Sequence, residues 1–475
     1  MNLDRKPKIG LCFIGAERFK TLGNDTQDGT YAERKEAESK YYAERISEFA
    51  DVVFDGLVYE REEAIRATQR FYRERVDCVV AMFLSWAEDY AWTRLLRELP
   101  EIPLLLISVV RDSLSITDTN DENQFIDFLS AGALVGFQEA SGSFRRFQRP
   151  MCDLAIGTLD MLLPKIRNFA VASKIRSVLR NTRLGLLSCY NEAMWATYVD
   201  PYNIFMKIGP EIHFLSVIEL ADEIEHTDDR TVRDIIAKLK QSFSVAPNVD
   251  PEKFHASVKA TYAMENLSKK NGIDLLALND IDSVLFRYIG LRPGFSPLDP
   301  NECTVTVPEG DIGGALATYI LQAIAGKHAN FIEPFYIDHK NGTFVAGHAG
   351  PNYYHDGKNS TVIARDERFA KSGWKHAGAP FAWHVFPEGQ KTMLHMSECN
   401  GKMKMVATTV ECLRTEHYLA SYSHANFRHP SFSPEELFER IVTNGVTQHY
   451  GIVDGDCLDV LEAVAALCDF DFYRI

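Results

Sequence analysis

The chain has 475 residues, of which 46% are hydrophobic and 25% charged, and its formal net charge is −15. These values are typical of a soluble globular protein with two or three domains, and the acidic charge disfavours nucleic acid and anionic membranes as partners. No apolar stretch is long enough to span a bilayer. The N-terminus is charged and shows no signal peptide. The nine cysteines include no C-x-x-C pair, and together these features predict a cytoplasmic protein with reduced thiols.

The first 110 residues alternate between apolar runs and amphipathic helices. Strands are predicted at 8–14, 51–54, 78–83 and 103–109, with helices at 31–49, 62–75 and 87–99. This alternation indicates βαβ units and a parallel sheet. Because ligands bind at the carboxyl ends of such strands, the loops after Ile14 and Phe83 are candidate site loops.

A second α/β block follows a long helix predicted at 153–180. Its strands are predicted at 183–189, 211–217 and 273–278, its helices at 229–243 and 251–270, with an internal loop at 244–250. Short strands then follow at 331–337, 343–346, 361–365, 391–397 and 402–409, before a final helix at 456–468. The turn signals Asn341-Gly342 and Asn400-Gly401 between them favour antiparallel β-structure, including a barrel.

These elements predict an α/β protein of three domains. Residues 1–170 and 171–327 are expected to form two Rossmann-like domains with parallel sheets. Residues 328–475 are expected to form a β-rich, barrel-like domain.

Acidic and histidine residues between 308 and 350 form the densest candidate site. Asp311 precedes a helix predicted at 312–324 and suits its N-cap, which leaves Glu309 in the loop before it. Glu333 lies in an otherwise apolar strand, where a carboxylate is costly unless it is paired or bound to a cation. His348 ends another strand, and 11 of the 14 histidines lie from His328 onward. Taken singly, each residue also suits an ordinary cap, ion pair or surface position, so the pattern alone leaves a metal site open.

Several motifs resemble those of the L-fucose and L-arabinose isomerases. Glu309-Gly310-Asp311 with Gly314-Ala315-Leu316 is similar to their E-G-D-x-x-x-A-L and E-x-D-x-x-G-A-L segments. Further similarities, in the same order along the chain, are Phe331-Ile332-Glu333 to F-M-E-D, Val345-Ala346-Gly347-His348 to L-G-S-H, and Thr447-Gln448-His449 to T-H-H. The resemblance is to the family and not to either enzyme, since Gln448 replaces a histidine and Pro334 an aspartate.

The resemblance implies that Glu309, Glu333, His348 and His449 bind one divalent ion. Two carboxylates and two imidazoles suit Mn²⁺, with Co²⁺ or Mg²⁺ as alternatives. The implied activity is an aldose–ketose isomerisation of a free monosaccharide through an enediol. Glu309 and Glu333 serve as its acid and base, with Glu309 favoured as the base.

The resemblance also implies contacts to the sugar and an oligomer. Arg18, Trp86 and Gln138 lie where the family contacts sugar, and Tyr190, with Asn191, follows a strand at a loop typical of ligand sites. The family forms homo-oligomers, hexamers or trimers, with active sites at subunit contacts.

Two alternatives to the isomerase function stay open: another metal-dependent sugar enolisation, by an epimerase or an aldolase-like enzyme, and a catalytically inactive sugar-binding or regulatory protein. Retention of both glutamates argues against the second, and the sequence leaves the sugar unidentified.

Overall fold

The computed structural model describes residues 5–302, 304–357 and 360–475 and separates into two compact units. The N-terminal unit comprises the chain up to Ser177 together with Val460–Cys468, and the main unit comprises Val178–Asp459 with Asp469–Ile475. The predicted boundary at 170/171 lies close to this division. The boundary predicted at 327/328 stays a prediction, since both of its sides belong to the main unit. Within the described ranges no helix is long and apolar enough to cross a membrane, and the eight described cysteines are free.

The N-terminal unit is built on a five-stranded parallel sheet with the order β2-β1-β3-β4-β5. Its strands are β1 (Lys8–Ile14), β2 (Asp51–Val53), β3 (Cys78–Phe83), β4 (Leu104–Val109) and β5 (Cys152–Gly157). Its helices are α1 (Tyr31–Ser47), α2 (Arg61–Glu74), α3 (Asp89–Glu98), α4 (Glu122–Ala131), α5 (Ala133–Arg146) and α6 (Leu159–Leu179). This strand order is that of a doubly wound sheet, with its topological switch point between β1 and β3.

The strand β5 corrects the predicted helix at 153–180. The segment is a strand to Gly157, and the helix begins only at Leu159. β5 is the edge strand of the sheet, and the side chains of Leu154 and Ile156 face solvent. Because an edge strand lacks the buried apolar run that marks a central parallel strand, its pairing with β4 could not be read from local sequence.

The main unit contains a second parallel sheet, with the order β7-β6-β9-β10. The strands of this region are β6 (Arg183–Leu187), β7 (Glu211–Leu215), β8 (Ser244–Val245), β9 (Leu275–Leu278) and β10 (Val305–Val307). Its helices are α7 (Pro201–Asn203), α8 (Val217–His226), α9 (Asp229–Ser242), α10 (Pro251–Lys270), α11 (Ser283–Tyr288) and α12 (Ile312–Ala325). The switch point of this sheet lies between β6 and β9.

The C-terminal part of the main unit is a closed antiparallel barrel, as the alternating short strands predicted. Its region contains β11 (Asn330–Asp338), β12 (Thr343–His348), β13 (Val362–Arg365), β14 (Pro380–Trp383), β15 (Gly389–Cys399), β16 (Lys402–Leu413), β17 (Ser423–Arg428), β18 (Tyr450–Asp454), β19 (Asp471–Arg474), α13 (Pro434–Thr443) and α14 (Leu458–Cys468). Six strands follow the order β15-β18-β11-β12-β17-β16, and the pairing of β15 with β16 closes the barrel. β19 adds to β16 in parallel, and β13 joins β14 and β8, which corrects the predicted loop at 244–250.

Helix α12 connects the parallel sheet to the barrel and is buried along nearly its whole length. It packs against β9 and β10 on the sheet and against β15 and β18 on the barrel. Glycines permit this close approach: a Cβ at Gly313 would lie 2.4 Å from the Met396 oxygen, and one at Gly451 2.8 Å from the Thr318 nitrogen. The loop that precedes α12 is therefore held against the barrel strands.

Candidate metal centre

Three of the four predicted metal ligands converge at this junction. Glu309 follows β10, His348 is the last residue of β12, and His449 precedes β18. Their candidate ligand atoms all lie within 4.8 Å of one another. Nε2 of His449 is 3.1 Å from Oε2 of Glu309, and Nε2 of His348 is 3.8 Å from Oε1 of the same carboxylate. Both histidines have an exposed fraction of 0%, and Glu309 of 4%.

The polar atoms that face each other here have no hydrogen-bond partner outside the group among the described residues. They are Oε2 of Glu309, Nε2 of His348 and Nε2 of His449, and Nδ1 of His348, at the other side of its ring, also lacks a partner. Burying such atoms without a partner is costly, and an unsatisfied group in a native site calls for a ligand or ion. A divalent cation accepts a carboxylate oxygen and two imidazole nitrogens together. The residues present therefore fit a metal ion.

The charges of the three residues are strongly coupled. Burial raises the pKa of Glu309, but the imidazole of His449, 3.1 Å from its Oε2, and the positive charge of Arg292 outweigh burial and lower the pKa to about 2. Burial lowers the pKa of His449, but Asp311 and Glu309 together raise it to about 10. Burial lowers the pKa of His348 to about 3, so this imidazole is neutral and its ring nitrogens can donate a lone pair. The site thus favours positive charge next to the Glu309 carboxylate.

The backbone at Glu309 is held in a left-handed conformation, with φ of 62°, followed by Gly310 at 65°. A non-glycine residue pays roughly 1–3 kcal/mol for such a conformation unless its surroundings enforce it. Here Oδ1 of Asp280 accepts from the Glu309 nitrogen at 2.9 Å, and Nδ2 of Asn191 donates to the Glu309 oxygen at 3.0 Å. Asn191 and Asp280 follow β6 and β9, so the switch point of the sheet fixes the direction of the Glu309 side chain.

Arg292 joins the Glu309 loop to the His348 strand. Its Nε donates to Oδ2 of Asp280 at 3.0 Å, and its Nη1 donates to Oδ2 of Asp366 at 3.2 Å. Nη2 donates to the oxygen of Ala349, the residue after His348. The side chain of Arg292 is only 2% exposed, so this network is buried. One guanidinium therefore positions the backbone beside two candidate ligands.

Asp311 joins α12 to the third candidate ligand. Its Oδ1 accepts from the Gly314 nitrogen at 2.9 Å, which confirms the predicted N-cap. Its Oδ2 lies 2.8 Å from Nδ1 of His449. A carboxylate in this position accepts a hydrogen bond from Nδ1–H, so when a cation displaces the second proton of the ring, the lone pair is on Nε2, the atom nearest Glu309. Asp311 thus sets the tautomer that metal binding requires.

Glu333 lies outside the group of three. It is half-buried on β11 and pairs across the sheet with Gly347, the residue before His348. Burial raises its pKa, and the negative charge of Glu309 raises it further. Glu333 is thus close enough to Glu309 for that charge to affect its pKa. Its role as a fourth metal ligand stays a prediction.

Two of the predicted sugar contacts meet in the N-terminal unit. The guanidinium of Arg18 lies 4.9 Å from the ring centroid of Trp86, and its Nε is 2.8 Å from Oε1 of Glu88. Nε1 of Trp86 donates to Glu139 at 3.2 Å. Gln138, next to Glu139, is exposed, and among the described residues it donates only to the Leu134 oxygen of its own helix, at 3.3 Å. Arg18 and Trp86 follow β1 and β3, the strands at the switch point of this sheet.

Tyr190 is the predicted sugar contact in the main unit. It is half-buried, its hydroxyl donates to the Val199 oxygen at 3.0 Å, and its ring lies 4.8 Å from that of Tyr198. The next residue, Asn191, holds the Glu309 backbone. Tyr190 thus lies on the same loop as a residue that shapes the metal centre.

The sequence analysis missed Asp280 and Arg292. Asp280 follows an apolar strand at its carboxyl end, the same signal that selected other loops, and Arg292 is a lone charge in an apolar stretch. Two further histidines lie in the C-terminal part of the chain. Both are buried: His395 is 2.9 Å from both the His449 oxygen and Ser397 Oγ, and His384 has an exposed fraction of 0%.

Comparison of the chain with models of known protein families and with curated proteins finds no match. The candidate metal centre and the motifs in the sequence are therefore the features that point to a function.

Proposed function

We propose that this protein is a metal-dependent aldose–ketose isomerase that acts on a free monosaccharide through an enediol. The observation that carries the proposal is the buried group of Glu309, His348 and His449, whose facing polar atoms lack other partners. The similarity of the surrounding motifs to those of the L-fucose and L-arabinose isomerases supports it. In this proposal the two parallel sheets are Rossmann-like domains.

Glu309, His348 and His449 would hold the ion, with Glu333 as a fourth ligand. Mixed carboxylate and imidazole donors suit Mn²⁺, with Co²⁺ or Mg²⁺ as alternatives. When bound, such an ion polarises adjacent sugar oxygens as a Lewis acid. Asp311 orients His449, and Arg292 holds the backbone beside Glu309 and His348, so the ligands are arranged before the ion binds.

The isomerisation moves a proton from C2 to C1 of the sugar, and a carboxylate of this chain carries it. Both oxygens of Glu309 face histidines, which suits a ligand. Glu333 lies outside that group, and its raised pKa favours proton uptake. Between the two carboxylates that the sequence offered, we propose Glu333 for the proton transfer and Glu309 for holding the ion.

A metal and substrate assay tests the proposal. The protein is stripped with a chelator, reloaded with Mn²⁺, Co²⁺ or Mg²⁺, and supplied with a panel of pentoses, hexoses and 6-deoxyhexoses. We expect one ion per chain and ketose formation that depends on it. Activity that persists after complete removal of metal would refute the metal-dependent mechanism. An epimer or two cleavage fragments as products would identify another enolising reaction, and sugar binding without turnover a binding protein.

Isotope transfer tests the route of the proton. In D₂O, proton transfer by a side chain predicts deuterium at C1 of the product, whereas a hydride shift predicts none.

Variants of the two glutamates test which residue carries the proton. Replacing a general base typically slows a reaction about 10²–10⁴-fold. We therefore expect Glu333→Gln to lose this much activity while still binding metal, more weakly, through the other three ligands, and Glu309→Gln, which changes a ligand of the buried group, to lose most of its metal as well. Near-normal rates in both variants without deuterium incorporation would rule out the two-carboxylate enediol mechanism.

The resemblance further suggests a hexamer or trimer and sugar contacts from Arg18, Trp86, Gln138 and Tyr190. Light scattering of the purified protein measures the assembly. Trp86→Phe and Tyr190→Phe test the contacts, since each removes a polar group and keeps a ring. A contact to the sugar predicts a raised KM for the preferred aldose with unchanged metal content, whereas a purely structural role predicts an unchanged KM.

A further inference from the structure

The N-terminal unit contains a cleft of about 600 Å³ that the proposed activity does not use. Its walls combine positive charge with aromatic surface, although the whole chain carries a net charge of −15. Four arginines and two aromatic residues line it: Arg61, Arg94, Arg97, Arg149, Tyr90 and Phe147. None of these residues belongs to the candidate metal centre or to the predicted sugar contacts.

One face of α3 supplies much of the lining. Tyr90, Arg94 and Arg97 are spaced four and three residues apart, so their side chains lie on the same side of the helix. Arg61 begins α2, and its guanidinium lies 5.0 Å from the centroid of the Tyr90 ring. The cleft is thus built on two helices of a well-packed unit, which gives it a fixed shape.

The positive charge of the cleft is only partly neutralised. Nε of Arg94 lies 2.9 Å from Oε1 of Glu98. Within the part of the chain that the structure describes, Arg61, Arg97 and Arg149 form no ion pair with a carboxylate.

Arg149 is the most enclosed of these arginines. Its Nη1 donates to the oxygens of Pro100 at 2.9 Å and Pro150 at 2.7 Å, and its Nη2 donates to those of Leu99 and Ile102. Its buried Nε has no partner among the described residues, so Arg149 contributes charge to the cleft while Arg61 and Arg97 offer the free donors. These carbonyls hold the guanidinium in place and leave its net charge uncompensated. The cleft therefore presents fixed positive charge that an anion would neutralise.

We propose that this cleft binds a small phosphomonoester that carries a planar ring, such as a nucleoside monophosphate. Guanidinium groups match phosphate oxygens with paired hydrogen bonds. Phe147 is 61% exposed, and together with Tyr90 it offers a surface on which a planar ring packs. The volume falls within the roughly 300–1,000 Å³ of small-molecule sites.

Calorimetric titration of the full-length protein tests this inference, with adenosine monophosphate as the probe. The comparison ligands are adenosine, which lacks the phosphate, ribose 5-phosphate, which lacks the ring, and inorganic phosphate. We expect saturable binding of one adenosine monophosphate per chain. Adenosine should bind at least tenfold more weakly, because it lacks the charge-assisted hydrogen bonds to the arginines. Ribose 5-phosphate and inorganic phosphate should also bind more weakly, because they lack the ring that packs on Phe147 and Tyr90.

Arginine variants locate the binding. Arg97→Ala, on the exposed part of the lining, should weaken binding about tenfold or more. Arg66→Ala is the matched control, because Arg66 is an exposed arginine on α2 outside the cleft, and its loss changes the net charge equally. Phe147→Ala should weaken adenosine monophosphate more than ribose 5-phosphate. Unchanged thermal unfolding of each variant shows that it is folded.

Three results would overturn the proposal. The first is the lack of saturable binding of adenosine monophosphate. The second is equal weakening by Arg97→Ala and Arg66→Ala, which would indicate attraction to overall charge only. The third is equal affinity for ribose 5-phosphate and adenosine monophosphate, which would remove the ring from the site. A further outcome is that no ligand binds and that Arg97→Ala changes the mass of the assembly in solution. The cleft would then be a contact between copies of the chain, and the proposal would be wrong.

Discussion

The substitution Asp311→Asn separates the two tasks of one carboxylate. Oδ1 of Asp311 accepts from the Gly314 nitrogen at the start of α12, and Oδ2 faces Nδ1 of His449. An asparagine offers one oxygen and one NH₂ group in the same shape, so it can accept from only one of these two donors.

If the amide oxygen keeps the cap, the NH₂ group faces Nδ1 of His449. The imidazole then carries its proton on Nε2, the atom directed at Glu309, and that nitrogen cannot bind a cation. Loss of such a supporting carboxylate typically weakens metal affinity about 10–100-fold. If the amide turns instead, the cap is lost at a cost of about 1 kcal/mol, with or without metal.

Metal titration and thermal unfolding distinguish these outcomes. With free metal at 100 times the dissociation constant, the ion stabilises the wild type by about 2.7 kcal/mol. A 100-fold loss of affinity leaves only about 0.4 kcal/mol of that in Asp311→Asn. In the metal-free protein the helix cap is kept, since asparagine and aspartate cap helices equally well, but the loss of the Asp311 charge lowers the pKa of His449 and removes the stability that this raised pKa contributes at neutral pH.

The control is Asp228→Asn. Asp228 caps α9 by accepting from the Thr231 nitrogen at 2.9 Å, and no histidine forms a hydrogen bond with it. This control should leave both metal affinity and stability unchanged. Wild-type metal affinity in Asp311→Asn would refute the assignment of Asp311 as the group that orients His449.

Three further predictions concern other parts of the main unit. Arg292→Met leaves Asp280 and Asp366 buried without their cation and should lower the free energy of unfolding by about 3–5 kcal/mol. Urea titration measures this free energy. In the same titration Arg440→Ala, which breaks a half-exposed pair with Glu436, should lower the free energy of unfolding by less than about 1 kcal/mol. His348→Ala and His449→Ala should each lose metal while the protein stays folded, and unchanged metal content in either would remove that residue from the centre. Burial lowers the pKa of His384 from its ordinary 6.5 to about 3. Below pH 6.5 this histidine is therefore protonated in the unfolded chain but not in the folded protein, and the free energy of unfolding falls as the pH drops. Between pH 7 and pH 5 the free energy of unfolding should fall by about 2 kcal/mol on account of His384, and His384→Gln should abolish this part of the fall. An equal pH dependence of unfolding in the variant and the wild type would show that His384 is not its cause.

The predicted fold was most accurate where strands are buried on both faces. Strands β1 and β3 were predicted to the residue, because their apolar runs have no polar side and end in clear turn signals. Strands β5, β8, β10, β14, β17, β18 and β19 were missed. β5 is an exposed edge strand and β10 spans only Val305–Val307, so both depend on partners that local sequence does not reveal.

The candidate site divides in the same way. Glu309, His348 and His449 were found through motifs, and the structure brings all three together. The residues that orient them were harder to predict, because each contact spans a long stretch of chain. Asp311 was correctly placed as a helix cap, but its contact to His449, 138 residues later, has no local signature.

The division of the chain between its two units has a consequence for synthesis on the ribosome. Val460–Cys468, most of helix α14, belongs to the N-terminal unit, and β19 directly after it pairs with β16 of the barrel. The polypeptide therefore passes from one unit to the other three times. Domains made early generally fold while the rest is still being translated. Here the unit that is translated first receives its final helix only after almost all of the other has been made, and a chain cut after Asp459 would leave both units incomplete.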